Sequence, residues 1–335
     1  MESLVPKKLL ILRILDILTD YSDCEHKLRQ KDIINLLRTQ YGIECERKAV
    51  ARNIEFLQYA GYDIISDNDG AYISTRKFEP GELRLLIDSV VSNKNVCSTY
   101  TKDLVERLTV EGGRHFKNHT KHVINLDDWQ KVEDKNFFLK IETLCEAIEK
   151  RKKIQFHYLT YSIEKKLVKR REDKYLASPY QLFMKNGHYY LACSFNNHNN
   201  LAFLRVDKIE GIENSNEPIF PLSEIKGCEN GLNLGLLSNR LPYLYYDNPV
   251  KVVFQTTQYV SSMIDMVIDW FGKDVRIQKI ENNLKFTVYA SIESIKFWLL
   301  QFGKYVKVLS PQALCDAIKN DIDEMKNLYN SGEIL

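Results

Sequence analysis

The chain has 335 residues, 44% of them hydrophobic and 27% charged, with a formal net charge of +2. These proportions exclude pervasive disorder, and the length fits two or three domains. A charge so close to zero neither demands nor excludes a nucleic-acid partner, so the placement of the positive side chains matters more than their sum. The seven cysteines (Cys24, Cys45, Cys97, Cys145, Cys193, Cys228 and Cys315) are scattered, odd in number and free of any C-x-x-C pair. That pattern argues against a disulfide framework and a zinc ribbon, and for buried thiols in a reducing cytoplasm.

In chain order, residues 4–19 read as an amphipathic helix. Arg13 and Asp16 interrupt its apolar run, which argues against a signal peptide, and no stretch of about 18 uncharged apolar residues predicts a transmembrane helix. A second helix is expected over about 29–40, ending at Gly42, and a third over about 46–60, ending at Gly61. Tyr62–Ile65 and Ala71–Ser74 then flank the turn Asp67-Asn68-Asp69-Gly70, a strong hairpin signal. Three helices followed by a hairpin is the order of a winged helix-turn-helix. Two more helices are expected over 81–110, broken by Gly112-Gly113, and the stretch to about 135 is polar.

A helix near 136–150 precedes strands expected at 153–159, 165–171, 176–184, 188–195, 201–206 and 208–214. Lys185-Asn186-Gly187 forms a tight turn between two of them. Such a run of short strands predicts a small β-barrel. Residues 216–248 read as a linker, and the last segment, in the order βαββαβ with a closing helix, predicts a ferredoxin-like sandwich. The expected fold class is therefore multi-domain α+β: residues 1–78 a winged helix, 79–135 a helical connector, 136–215 a barrel, 216–248 a linker and 249–335 a C-terminal sandwich.

The start of the third helix, Glu46-Arg47-Lys48-Ala49-Val50-Ala51-Arg52-Asn53, has the side chains that read base edges from a major groove. Arg47, Lys48, Ala51 and Arg52 lie away from the apolar stripe of Val50, Ile54 and Leu57. Asn53 is a further candidate, and Lys31, Tyr72, Arg76 and Lys77 are candidate phosphate contacts. The competing reading is a solvated helix face, since residues 1–78 hold 12 basic and 12 acidic side chains. Order of elements, not charge, favours DNA.

Residues 150–174 are more basic, with ten Lys or Arg against three acids and with Phe156, His157 and Tyr158 between them. Cations interleaved with aromatics on a barrel suit single-stranded nucleic acid or a nucleotide, whereas lysines on a strand edge also guard against aggregation. Strand parity separates Tyr189, Leu191, Cys193 and Phe195, expected in the core, from His188, Tyr190, Ala192 and Ser194. Tyr158, Ser178, Tyr180, Tyr190 and Arg205 would make an anion pocket with a stacking platform if their faces converge; each tyrosine can equally be packing. His115, His119 and His122 have helical spacing for a metal, but Gly112-Gly113 and Asn118 weaken a helix there, and no metal site is expected. Gly227, Gly231 and Gly235 match no phosphate loop.

These pieces, in this order, resemble the WYL-domain transcriptional regulators. The family's Trp-Tyr-Leu tripeptide falls on Tyr189-Tyr190-Leu191, after the turn ending at Gly187. Ile154-Gln155-Phe156-His157-Tyr158 resembles the family's opening strand, Ser178-Pro179-Tyr180 its proline-bearing strand, and Phe203-Leu204-Arg205-Val206-Asp207-Lys208-Ile209 its closing stretch. Arg47–Ile54 is similar to its recognition helix. Tyr189 replaces a Trp, Lys208 an Arg, Ala49 a Thr and Asn53 an Asp; lysine lacks the planar fork of a bidentate clamp. The resemblance implies a homodimer on an inverted-repeat DNA operator, an Sm- or SH3-like barrel (the WYL domain) that senses a nucleic acid or nucleotide-like effector with Lys208 in its site, and a C-terminal extension (WCX). The expectation is a regulator without cofactor, catalysis or membrane contact. The competing expectation is an accessory protein that binds nucleic acid and modulates a phage-defence or CRISPR-type effector.

Overall fold

A computed structural model describes residues 9–120, 131, 134–195, 200–232, 249–258 and 261–330. The chain divides into two compact units, residues 1–137 and 138–335.

The first unit opens with α1 (Leu10–Tyr21), α2 (Gln30–Tyr41) and α3 (Arg47–Tyr59), followed by the antiparallel strands β1 (Ile64–Ser66) and β2 (Ala71–Ile73). Each helix turns a narrow apolar stripe inward. Ile14, Ile17 and Leu18 from α1, Ile33 and Leu37 from α2, and Val50, Ile54 and Leu57 from α3 form one core with Ile64, Ala71 and Ile73 of the hairpin. Burial of each such side chain is worth about 1.5–3 kcal/mol. Gly42 ends α2 in the left-handed conformation. Gly70 closes the hairpin against the backbone of Leu28, where a Cβ would sit 2.7 Å from the Leu28 carbonyl carbon. That approach lets Leu28 and Ala71 exchange backbone hydrogen bonds of 2.8 and 2.9 Å.

Next come α4 (Pro80–Ser92), α5 (Ser98–Glu111) and α6 (Gly113–Thr120), with Leu83, Ile87, Val91 and Phe116 as their core. Gly112-Gly113 was expected to break the helices, and α5 does end at Glu111, but a new helix, α6, starts at Gly113. The glycine is needed for a close approach: a Cβ there would lie 2.9 Å from the Thr19 carbonyl oxygen at the end of α1.

In the second unit α7 (Phe137–Glu149) leads into β3 (Lys152–Tyr161), β4 (Leu167–Lys169), β5 (Tyr175–Lys185), β6 (His188–Phe195), β7 (Ala202–Arg205) and β8 (Ile209–Pro218). The sheet path is β4-β3-β5-β6-β7, with β8 on β3 and every pairing antiparallel. A 3-10 turn at Val206–Lys208 separates β7 from β8. The result is a curled half-barrel, coarser than the expected barrel. Asn186 and Gly187, both at positive φ, make the β5–β6 turn. The segment from 216, read as linker, starts within β8 and stays packed as far as Cys228. Phe220, Leu222, Ile225 and Cys228 form an apolar cluster with Leu201, Phe203 and Tyr180.

The last sheet has the order β10 (Arg276–Ile280), β11 (Asn283–Ala290), β9 (Val250–Thr256), β12 (Val306–Ser310), all antiparallel. α8 (Ser262–Phe271) and α9 (Ile292–Leu300) join its strands, and α10 (Gln312–Asn330) closes it. Val252 and Phe254 of β9 and Phe286 and Val288 of β11 face a core that holds Val267, Ile295 and the fully buried Trp298. Among the described residues no helix is long and apolar enough to cross a membrane.

Candidate nucleic-acid interface and ligand pocket

α3 buries Val50, Ile54 and Leu57, so helical geometry turns Arg47, Lys48 and Arg52 outward, and all three are exposed. None of their side chains has an ion pair or hydrogen bond among the described residues. Ala51, beside Arg52, is half-buried. Asn53 is also half-buried, and its Nδ2 donates to the Ala49 carbonyl at 2.7 Å, so its amide is engaged by its own helix.

Lys31, exposed at the start of α2, meets Arg47 in a groove of about 450 Å3 that Ser66, Asn68 and Gly70 of the hairpin also line. The hairpin is held to the helices by Lys27, which lies 2.6 Å from Asp67. That contact raises the Lys27 pKa and lowers that of Asp67, in each case chiefly through the shared hydrogen bond. Asp67 also accepts the backbone N–H groups of Asp69 and Gly70 at 2.9 and 3.2 Å, which shapes the turn. Tyr72 is half-buried with the Lys27 ammonium 5.6 Å from its ring centre. Arg76, expected as a phosphate contact, has another task. Its guanidinium donates to the carbonyls of Thr19 at 2.7 Å and Ser22 at 2.6 Å and clamps the end of α1. Lys77 remains exposed, 3.6 Å from Glu111.

On the half-barrel the basic run is partly neutralised. Lys153 pairs with Glu217, Lys174 with Glu213 and Lys150 with Glu146. Lys152 donates to the Asn216 carbonyl at 2.8 Å, and the Arg171 guanidinium stacks 3.6 Å from the Tyr175 ring centre. Phe156 is fully buried, so it serves the core and offers no stacking platform. Arg151, Lys165, Lys166, Lys169 and Arg170 stay exposed.

The five residues expected to form a pocket separate into two groups. Tyr158, Tyr190 and Arg205 come together. Tyr190 is registered against Arg205 across β6 and β7, and the Tyr158 hydroxyl accepts the Arg205 backbone N–H at 3.3 Å. Burial raises the pKa of both tyrosines. The Tyr190 ring also stacks on Phe183, with 5.6 Å between centroids. Arg205 donates through Nε and Nη2 to the two oxygens of Asp207, at 3.0 and 2.6 Å. Burial pulls the Arg205 pKa down, and Asp207 outweighs it, so the net shift is upward. Nη1 of Arg205 has no acceptor among the described residues. Lys208 lies 5.4 Å from the Tyr161 ring centre, and burial and then the Arg205 charge lower its pKa. Two cations against one carboxylate leave this corner positive.

Ser178 and Tyr180 belong elsewhere. Ser178 Oγ accepts the Phe220 N–H at 2.8 Å, while the Tyr180 hydroxyl lies 2.7 Å from Ser194 Oγ and donates to the Phe220 carbonyl at 2.9 Å. These bonds fasten the 219–228 segment over one end of the sheet, and Ala192 and Ser194 beneath it are fully buried. Asp207, Phe183 and Tyr161 are the site residues that strand parity missed. Asp207 had a signal, since it stands two residues after Arg205 in the closing stretch.

A helical head with unpaired cations and a curled sheet with a tyrosine–arginine corner define a mixed α/β protein. Residues 140–214 match the WYL domain and residues 249–326 the WCX domain, so the chain carries both domains. It is 23% identical over 305 residues to the "Uncharacterized HTH-type transcriptional regulator YobV" of Bacillus subtilis (strain 168), covering 86% of this chain and 91% of that one. Among solved structures it is similar to the proteasome accessory factor B/C (PafBC) of Arthrobacter aurescens, with 16% identity and a TM-score of 0.28 over 96% of this chain. The chain spans about half the length of that protein, 49% of it. It is also similar to a CRISPR Cas-related protein, with 14% identity and a TM-score of 0.37, covering 74% of this chain and 72% of that one.

Proposed function

We infer that this protein is a DNA-binding transcription regulator whose curled sheet senses an anionic effector. The single observation that carries the reading is the outer face of α3. Arg47, Lys48 and Arg52 are exposed and unpaired beside a hairpin, and Lys31 shares their groove. Unpaired cations at the start of a helix can reach phosphates and base edges without first breaking an internal bond. In this reading the first three helices and the hairpin are a winged helix-turn-helix, and the chain acts as a homodimer on two half-sites of duplex DNA. The C-terminal sheet and its helices form a ferredoxin-like sandwich.

The effector is a single-stranded nucleic acid or a nucleotide, met by Arg205 Nη1, Lys208 and the tyrosines. Its binding changes operator affinity by favouring one of two arrangements, and no catalysis is involved. The test is selection of bound duplexes from a random library, followed by footprinting. A protected inverted repeat, lost in the double variant R47A/R52A, supports the reading; absence of any sequence-specific protection overturns it.

A further inference from the structure

His115, His119 and His122 have helical spacing for a metal that the sequence did not favour, and the fold pairs one of them differently. His119 lies near the end of α6, and His122 lies outside the described residues. His115 instead stacks on His26, from the loop between α1 and α2, with ring centroids 3.6 Å apart and planes 7° from parallel. Asp23 joins them, and one ligand atom from each of the three lies within 4.8 Å of the others.

The supporting frame is built around this point. Arg76 clamps the carbonyls of Thr19 and Ser22, and Gly113 brings α6 against the end of α1. Asp23 Oδ1 accepts the N–H groups of Glu25 at 2.9 Å and His26 at 2.8 Å, which sets the loop before any ligand arrives. His115 Nε2 lies 3.3 Å from the Tyr21 carbonyl oxygen. A carbonyl accepts only from the protonated ring nitrogen, so this bond leaves Nδ1 with its lone pair. Histidines that ligate metals characteristically donate their other N–H to such a carbonyl or to a carboxylate. His26 Nδ1 donates its proton to Asp23 Oδ1 at 2.8 Å. A cation replacing that proton needs its ligand atoms about 3.3 Å apart, as follows from bonds of about 2.0–2.1 Å in a tetrahedron. The two rings are stacked with nearly parallel planes, so the exposed His26 ring turns out of the stack to share a cation with His115.

We propose that Asp23, His26 and His115 bind a divalent transition-metal cation of the zinc class, tying the loop that enters α2 to α6. Two imidazoles and a carboxylate suit such borderline cations better than the hard ions magnesium or calcium. The fourth position is left to water, since Cys24 places no ligand atom in the cluster. The site lies outside the groove of Arg47 and Lys31, so the proposal does not depend on the DNA-binding reading.

The test uses metal-stripped full-length protein titrated with Zn2+ against a chromophoric chelator and, separately, with Co2+ followed by visible absorption. One equivalent is expected to bind, and the Co2+ form shows ligand-field bands without a thiolate charge-transfer band. H26Q and H115Q each weaken binding by at least the roughly 10–100-fold that loss of an outer-shell partner costs. At equal concentration Zn2+ raises the Tm of the parent protein by more than that of either variant, while far-UV circular dichroism confirms that the variants fold. D23N, the least disruptive substitution, serves if either histidine variant does not fold. H119A keeps full affinity. No bound equivalent, unchanged affinity in both histidine variants, or loss of binding in H119A overturns the proposal.

Discussion

Arg205 and Asp207, two residues apart in sequence, face each other through two hydrogen bonds of 3.0 and 2.6 Å, with the carboxylate nearly buried and the guanidinium a quarter exposed. A buried carboxylate left without its cation is costly, so R205A is expected to destabilise the half-barrel by about 1–3 kcal/mol, less than a fully buried pair because solvent reaches the arginine. Urea unfolding of the full chain measures this. In the proposed reading the same pair restrains an anionic effector, since Asp207 occupies two donors of the fork and repels negative charge. D207N is therefore expected to bind a short single-stranded oligonucleotide roughly threefold to tenfold tighter than the parent, and R205A to lose that binding. Fluorescence anisotropy at fixed salt separates these outcomes, and weaker binding in D207N would remove Arg205 from the effector site.

The exposed cations of α3 make a second prediction. R47A/R52A removes two charges that support no internal contact, so its Tm should stay within a few degrees of the parent value. Its affinity for duplex DNA should fall sharply. Each lost phosphate contact lowers the magnitude of the slope of log Kobs against log salt by about 1. An unchanged slope would place both arginines away from DNA.

Local pattern carried much of this fold and distance carried the rest. The stripe Val50, Ile54, Leu57 and the turns Asp67–Gly70 and Lys185–Gly187 were legible because helical period and left-handed turn positions are written in adjacent residues. α6 was missed because glycine counts against a helix locally, while at Gly113 it permits contact with Thr19, far away in the chain. Ser178 and Tyr180 share a face with Tyr190 by alternation, but Ser178 is registered against Ser194, four residues along β6, so a shared face does not bring them together. The register slip between Pro179 and Gln181 instead sets Phe183 opposite Tyr190, which simple alternation misses. Arg76, Asp23 and His26 show the same limit: their partners Thr19, Ser22 and His115 are chosen by packing, which no short-range pattern encodes.

The cover over the sheet depends on few polar contacts. Ser178 Oγ, itself buried, accepts the Phe220 N–H at 2.8 Å. S178A leaves that N–H without its acceptor and should cost about 1–2 kcal/mol. Opening is expected to be local, so hydrogen exchange should accelerate across Phe220–Cys228 and stay unchanged in β9 and β11. Uniform acceleration through both sheets would show that the cover is no separate unit.

Lys185, at the end of β5, has its pKa pushed down to about 8 by burial, from an ordinary value of 10.5. Below pH 8 the amine is charged in both folded and unfolded chains, and the folded state bears the full cost of burying that charge. Between about pH 8 and 10.5 the unfolded chain holds the extra proton, so stability from this group rises with pH across that window. The amine remains partly open to water, which limits the gain to about 1–2 kcal/mol. K185M removes the titrating group while keeping the apolar stem. It is therefore expected to be more stable than the parent at pH 7, with the difference shrinking by pH 9.5, below the range where exposed tyrosines ionise. Chemical unfolding of both proteins at the two pH values measures the difference directly, and a gap that widens at pH 9.5 would mean that the Lys185 charge is favoured, not penalised, by the folded sheet.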